Sequence, residues 1–316
     1  MGINLIEYAE IWTTALDQQA VQVATSGWME ANSTQVQYIG GKKFRVPTIY
    51  TTGLGDYGRG TGTSNPGRYA KGATEIKYLD YELEIDRSSS FLWDRHDIDE
   101  SGFVLTAPNV LGEFQRRHVI PEIDSFRYSR IAQRVMSQGA SAYAVETLTP
   151  DNILERFLTS IREAQDVHGQ PVTSMVAIMS FLTWNMLEMA TGVAHMGIDP
   201  VTFTQGGLNF EVNSINGVPI IPVVSDRLKS AYILYEEPSA LDTRGSGYEP
   251  APGAQDINWI ITPRNLPIAI SKTDNLKIWT PESNILGDDW LLQYRKYHDL
   301  WIMENQLNQI ILSMAA

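Results

Sequence analysis

TAPNVLGEFQRRHVIPEIDSFRYSRIAQRVMSQGA, residues 106–140, decides the fold. Val110, Leu111, Phe114, Val119, Ile123, Phe126, Ile131 and Val135 recur at helical spacing and draw one apolar stripe along a helix over 105–137. Thr106 suits its N-cap, Pro108 its first turn and Gly139 its stop. Pro121 removes a backbone donor in mid-course, which predicts a kink or a restart. Glu113 with Arg117, and Asp124 with Arg127, stand at pairing distance on a helix and predict a solvated charged face.

On the N-terminal side, FRVPTIY (44–50) and EIKYLDYELEID (75–86) read as strands, the second with a period of 2. Between them, residues 51–72 are rich in glycine and nearly free of aliphatics, so they cannot build a core of their own. The pair reads as a long two-stranded arm whose tip reaches out to something. Residues 1–35 read as an arm with a short helix and no strong core signal.

On the C-terminal side, Thr149 as cap, Pro150 and Asp151 open a helix carrying Ile153, Leu154, Phe157, Leu158, Ile161 and Ala164. His168-Gly169 and Pro171 end it. A buried strand (175–180) follows, then a helix near Thr183 with Trp184, Leu187 and Met189. Asn216-Gly217 supplies a left-handed turn inside a hairpin, FEVNSINGVPIIPVV (210–224). Residues 237–255 read as a surface loop; 257–263, 266–272 and 275–280 as short strands; and 290–314 as two further strands. Helices and strands interleave without a repeat, an α+β pattern.

The chain has 316 residues and 35.4 kDa, and at 43% hydrophobic residues it can bury a core. It has no cysteine, which excludes disulfides, thiolate zinc sites and a cysteine nucleophile. A net charge of -13 argues against a broad basic face that grips nucleic acid. No apolar run approaches the roughly 18 residues of a membrane span, and MGINLIEYAEIW lacks the pattern of a signal peptide. The charge is uneven. Residues 40–77 carry +5, from Lys42, Lys43, Arg45, Arg59, Arg68, Lys71 and Lys77 against Asp56 and Glu75. Acids follow, among them Asp94, Asp97, Asp99 and Glu100. These two groups pair within one fold, or they meet across copies of the chain; they are the candidate intersubunit contacts.

Gly53-Leu54-Gly55-Asp56-Tyr57-Gly58 matches the dinucleotide fingerprint, with Glu75 downstream, but RGTGTSNPG after it cannot form the helix that receives a pyrophosphate. Asp97 to Gly102 begin like a calcium loop, yet Pro108 stands where the closing Glu belongs. His96, His118, His168, His195 and His298 form no zinc motif. His298-Asp299 could be half of a triad, but on a strand the two alternate faces, which leaves His298 satisfied locally. No catalytic residue, metal ligand or cofactor is assigned.

Four segments, LEIDRSSSFLWDRHDIDES (83–101), LGEFQRRHVIPEIDSFRYSRIA (111–132), NGVPIIPV (216–223) and DDWLLQYRKYHDLWIMENQLNQI (288–310), carry a resemblance. Their order resembles the major capsid protein of tailed double-stranded DNA phages, of the Hong Kong 97-type fold, in a group common in phages and prophages of Gram-positive bacteria. The resemblance implies an N-terminal arm (1–40), an extended β-hairpin loop (41–82), a peripheral domain (83–147 with 268–316) built on a long spine helix (105–137), and an axial domain (148–267). Arg116, Arg117, Pro121, Glu122 and Asp124 match its helix motif, and Tyr294, Arg295, Tyr297, His298 and Asp299 its C-terminal motif, as structural or interface positions. The implied function is a non-enzymatic virion shell of hexamers and pentamers, assembled in the host bacterial cytoplasm around double-stranded DNA that is held without sequence readout. The implied partners are further copies of the chain, a separate scaffolding protein (the resemblance starts close to Met1), a portal and decoration proteins. Lys71 and Lys77 lie where some relatives crosslink, but no partner asparagine aligns and no crosslink is assigned. Two alternatives remain: an encapsulin-type nanocompartment of the same fold, and a nucleotide-binding enzyme using the 53–58 loop.

Overall fold

A computed structural model describes residues 24–40, 43–55, 57, 69, 72–94, 107–168, 174–190, 198–205, 207–235, 246–280 and 289–316. The chain divides into two compact units, residues 34–84 and the remainder.

The smaller unit is a three-stranded antiparallel sheet of β1 (Gln37–Gly40), β2 (Lys43–Thr51) and β3 (Thr74–Glu82). The expected strand pair forms, with Lys43 opposite Glu82 and Thr51 opposite Thr74. The single strand expected over 75–86 divides at Leu83-Glu84; its second part is β4 (Ile85–Asp94), which belongs to the larger unit.

In the larger unit the long helix runs as Ala107–Phe114, a π turn over Gln115–Val119, and Ile120–Met136. The irregularity lies one turn before Pro121, where a regular helix would aim the carbonyl of residue 117 at a proline ring with no N–H. The chain widens instead: Ile120 N–H reaches back five residues to Gln115 O. Gly139, at φ 113°, follows the helix and donates to Met136 O at 3.1 Å. The Thr106 cap lies outside the described residues.

Next come β5 (Tyr143–Glu146) and a helix over Ile153–His168. That helix starts later than expected. Thr149 O accepts from the N–H groups of Asn152 and Ile153, and Asn152 Oδ1 accepts from Thr149 N–H at 2.8 Å, so Pro150 and Asp151 sit in a preceding turn. β6 (Met175–Ser180) leads into the helix Phe181–Met189, whose first turn Ser180 caps through Thr183 N–H. β7 (Asp199–Gln205), β8 (Leu208–Ile215) and β9 (Val218–Val223) follow. β10 (Tyr232–Tyr235) pairs with β11 (Gly247–Pro250), so part of the expected 237–255 loop is strand. β12 (Ile257–Pro263) is as expected, but the two short strands after it are one, β13 (Ile268–Trp279), with a bulge between Thr273 and Asn275. β14 (Asp289–Trp301) and β15 (Ile311–Ala315) close the chain, separated by 3-10 turns over Glu304–Gln309.

Seven strands make the central sheet, in the order β5-β15-β12-β6-β9-β8-β7. Both of its faces are covered, which is why MVAIMS is apolar throughout instead of alternating. Val176 and Ile178 turn to one side, with Tyr128, Ile131 and Val135 of the long helix. Met175, Ala177 and Met179 turn to the other, with Phe157 and Ile161 of the Ile153–His168 helix. β13, β14 and β4 form a second sheet, with Leu276, Leu292 and Tyr294 packed on Leu111 at the start of the long helix.

The hairpin turn is as expected: Asn216 has φ 53° and Gly217 φ 79°, the left-handed pair that a tight two-residue loop needs. Substituting Gly217→Ala places a Cβ in that region. We expect it to cost about 1–2 kcal/mol, read as a melting temperature lowered by a few degrees with an unchanged circular dichroism spectrum.

Candidate functional site

On the 34–84 unit, register and side chains together set the charges. Arg45 lies directly opposite Asp80 and donates to it twice, at 2.6 and 2.9 Å. That hydrogen bond, with the Arg45 charge, holds the Asp80 carboxyl below its ordinary value. Arg45 also lies 5.4 Å over the Tyr78 ring. Lys77 approaches Glu75 at 3.5 Å and lies 5.2 Å over the ring of Tyr50. Arg45 and Lys77 thus have partners within the hairpin while their side chains stay partly open to solvent, and Lys43 is exposed. Lys42, Arg59, Arg68 and Lys71 lie outside the described residues, as do Asp97, Asp99 and Glu100; the backbone of Asp94 ends β4 opposite Asp289. The unit also exposes large apolar groups: Tyr50, Leu54, Tyr57, Tyr69, Ile76 and Tyr78. Gly53 and Gly55 sit where β2 leaves an antiparallel ladder, with Thr52 N–H on Ala73 O; the dinucleotide fingerprint instead joins a strand to a helix in a parallel unit.

In the larger unit the motif residues divide by depth. Arg116 and Arg117 are exposed and both pair with Glu113, as a solvated face predicts. Asp124 and Arg127 do not: both are fully buried, and each takes partners other than the other. Their side of the helix meets residues 24–30. Asp124 Oδ2 accepts from Thr25 N–H at 3.1 Å and Oγ1 at 2.9 Å, and Oδ1 from Ser26 N–H at 3.0 Å and Oγ at 2.6 Å. Arg227 approaches Oδ2 at 3.5 Å. Arg127 donates to Glu30 at 2.5 Å, to Ser271 Oγ at 2.8 Å and to Ser26 Oγ at 3.1 Å. Tyr128 O–H donates to Thr25 Oγ1. Burial alone would raise the Glu30 carboxyl, but the charge and hydrogen bond of Arg127, with Lys296 and Ser271, hold it below its ordinary value.

The expectation of an N-terminal arm without core residues is thereby corrected from Ala24 onward. Trp28 and Met29 are core residues, and Asn32 donates to Arg264 O and Pro267 O, each at 2.8 Å. Residues 1–23 lie outside the described ones. Thr25-Ser26, two hydroxyls with two free backbone donors ahead of a tryptophan, was the signal in the sequence for this clasp.

Glu122 binds Arg87 at 2.7 and 3.2 Å, and Arg87 also donates to Gly247 O at 3.0 Å, tying helix, β4 and β11 together. Arg295 donates twice to Asp86, at 2.9 and 2.6 Å, across β14 and β4. Pro121, Tyr294, Tyr297, His298 and Asp299 are buried, and Asp299 Oδ1 accepts from Leu300 N–H. His298 is not satisfied as expected. Its Nδ1 has no partner among the described residues, and its ring stands edge-on to Phe126 at 5.2 Å. Burial, then the charges of Arg127, Lys296 and Arg87, push it well below its ordinary value. His118 is exposed, while His96, His195 and the side chain of His168 lie outside the description. Among the described residues no three His, Asp or Glu side chains are grouped to hold a metal ion, and no helix is long and apolar enough to cross a membrane.

Two outcomes follow. Asp124→Ala leaves Arg227 and the donors of residues 25–26 unanswered; we expect a loss of about 3–5 kcal/mol by denaturant unfolding, with new proteolytic cleavage between 24 and 35. His298 is uncharged in the folded chain and protonates near 6.5 once unfolded. Its contribution is therefore present above that pH and lost as the pH falls below it. Stability should decline by up to about 1.4 kcal/mol per pH unit there, and His298→Phe should flatten that decline.

No family model and no curated protein matches this chain. Solved structures do. The capsid of cyanophage P-SCSP1u matches with a TM-score of 0.56 at 12% identity, over 89% of this chain and 85% of that one. The mature capsid of bacteriophage PhiM1 matches at 0.55 and 12% identity, over 87% and 82%. The capsid of Staphylococcus phage Andhra matches at 0.50 and 12% identity, over 89% and 82%. At such low identity the likeness speaks for architecture: this is an α+β chain with the fold of the phage capsid proteins.

Proposed function

We propose that this chain is a major capsid protein, which assembles through hexamers and pentamers into an icosahedral head shell around phage double-stranded DNA. The observation that carries the reading is the match of nearly the whole chain to capsid structures with TM-scores of 0.55 and 0.56. The 34–84 unit supports it, since its exposed tyrosines, Leu54 and Ile76 are surface that a neighbouring copy can cover. In this reading the 34–84 unit holds the extended loop expected over 41–82. The peripheral domain expected over 83–147 with 268–316 supplies β5 and β15 to the central sheet, whose other strands come from the axial domain expected over 148–267. The role is structural, not catalytic. Weak contacts repeated between copies close the shell, and the acidic chain confines DNA without gripping phosphates. Assembly takes place in the host cytoplasm with a separate scaffolding protein, a portal and decoration proteins, and the product is the virion head.

The basic stretch of the loop is the contact that tests this. Replacing Arg59, Arg68 and Lys71 together by Glu should leave the circular dichroism unchanged and abolish rings and shells in negative-stain electron microscopy. Normal particles from that variant would remove the loop contact. A native chain that forms neither rings nor shells beside its neighbouring gene products would remove the capsid reading.

A further inference from the structure

Between the long helix and the β13-β14-β4 sheet lies a cavity of about 260 Å3. It opens beside the π turn, a helical irregularity that often accompanies binding sites. Three aromatic rings wall it. Phe114 stands edge-on to Phe91 at 5.0 Å and to Tyr294 at 5.8 Å. Val119 and Ile123 complete the apolar lining. The volume lies just under the roughly 300–1,000 Å3 of pockets for drug-sized ligands and above the roughly 150 Å3 that admits benzene. One aromatic ring is the right size of guest.

Its lining includes an unanswered polar atom. His298 lines it at 2% exposure, and its Nδ1 has no partner among the described residues. A buried nitrogen left alone is costly. A neutral imidazole offers a donor or an acceptor at Nδ1 according to its tautomer, and a hydroxyl answers either. A carboxylate answers only the donor. An ammonium group would face Arg87 and Lys296, while the carboxylate of the lining, Glu122, is already bonded to Arg87.

We propose that this cavity is a binding site for a phenol group, its ring between Phe91, Phe114 and Tyr294 and its hydroxyl on Nδ1 of His298. Two sources present that group. One is a free phenolic compound. The other is a tyrosine of a second copy, of which Tyr69, 85% exposed, is the most open among the described residues. The second source rests on the shell reading above; the first does not.

Saturation-transfer NMR on the full chain, unassembled and assembled, tests the site with phenol and benzene as probes. Phenol should bind the unassembled chain saturably and about tenfold more tightly than benzene, the size of one hydrogen bond. His298→Phe should erase that advantage and leave benzene binding. Phe114→Trp should fill the cavity and abolish both; if it fails to fold by circular dichroism, Ser89→Leu fills it from the sheet side. Equal phenol binding before and after assembly assigns the site to a free compound. Binding lost on assembly and restored in assembled Tyr69→Ala assigns it to the neighbour's tyrosine. Phenol binding in a chain that never assembles keeps the site and counts against the shell. No saturable binding to the unassembled chain, or a phenol advantage that survives His298→Phe, overturns the proposal.

Discussion

A carboxylate with no access to water has to be answered by hydrogen bonds one at a time, and Asp124 is such a group. Four donors from Thr25 and Ser26 meet it, with Arg227 behind them. One turn along the same helix, the equally buried Arg127 needs acceptors and finds Glu30, Ser26 and Ser271. Neither charge could stay buried without the segment from Ala24 to Ser33, which Trp28, Met29 and the Asn32 hydrogen bonds also hold in place. The energetics are those of a buried network. Complete, it specifies one arrangement of helix, N-terminal segment and β13; broken at one member, it strands a charge.

The rest of the larger unit is ordered around the same helix. One face of its Ile120–Met136 part grips residues 24–30, and another supplies Tyr128, Ile131 and Val135 to the central sheet. The π turn keeps both faces in use. It accommodates the missing donor of Pro121, and Glu122, just past it, reaches Arg87 on β4. The 34–84 unit follows a different rule. Its ion pair Arg45–Asp80 is exposed and of small energetic weight, but register makes it a marker of correct strand alignment: a slip of one residue would put the two side chains on opposite faces.

Much of this was legible in the sequence because it follows from local periodicity. The long helix, the doubly covered strand MVAIMS, the Asn216-Gly217 turn and the hairpin around the glycine-rich stretch all declare themselves within a dozen or so residues. The illegible parts depend on distant partners. Asp124 and Arg127 have the spacing of a solvated ion pair, and only the arrival of residues 25–30 turns them inward. The division of 75–86 at Leu83-Glu84 reflects two sheets in two units, which alternation cannot reveal. His298 was placed on a strand correctly in kind, yet its unanswered nitrogen depends on the helix residues opposite it, and no spacing within β14 records that.

The clasp also constrains when the chain can finish folding. Asp124 is joined to residues 98 and 99 positions before it, and Arg127 to one 144 positions after it. Contacts of such sequence separation carry a loop-closure cost before they return any stability, and they form late. A ribosome that has released residues 24–30 must still make Ser271 before the network is complete. During that interval the N-terminal segment waits, with its tryptophan uncovered. High contact order in this one clasp makes its completion wait on the synthesis of β13.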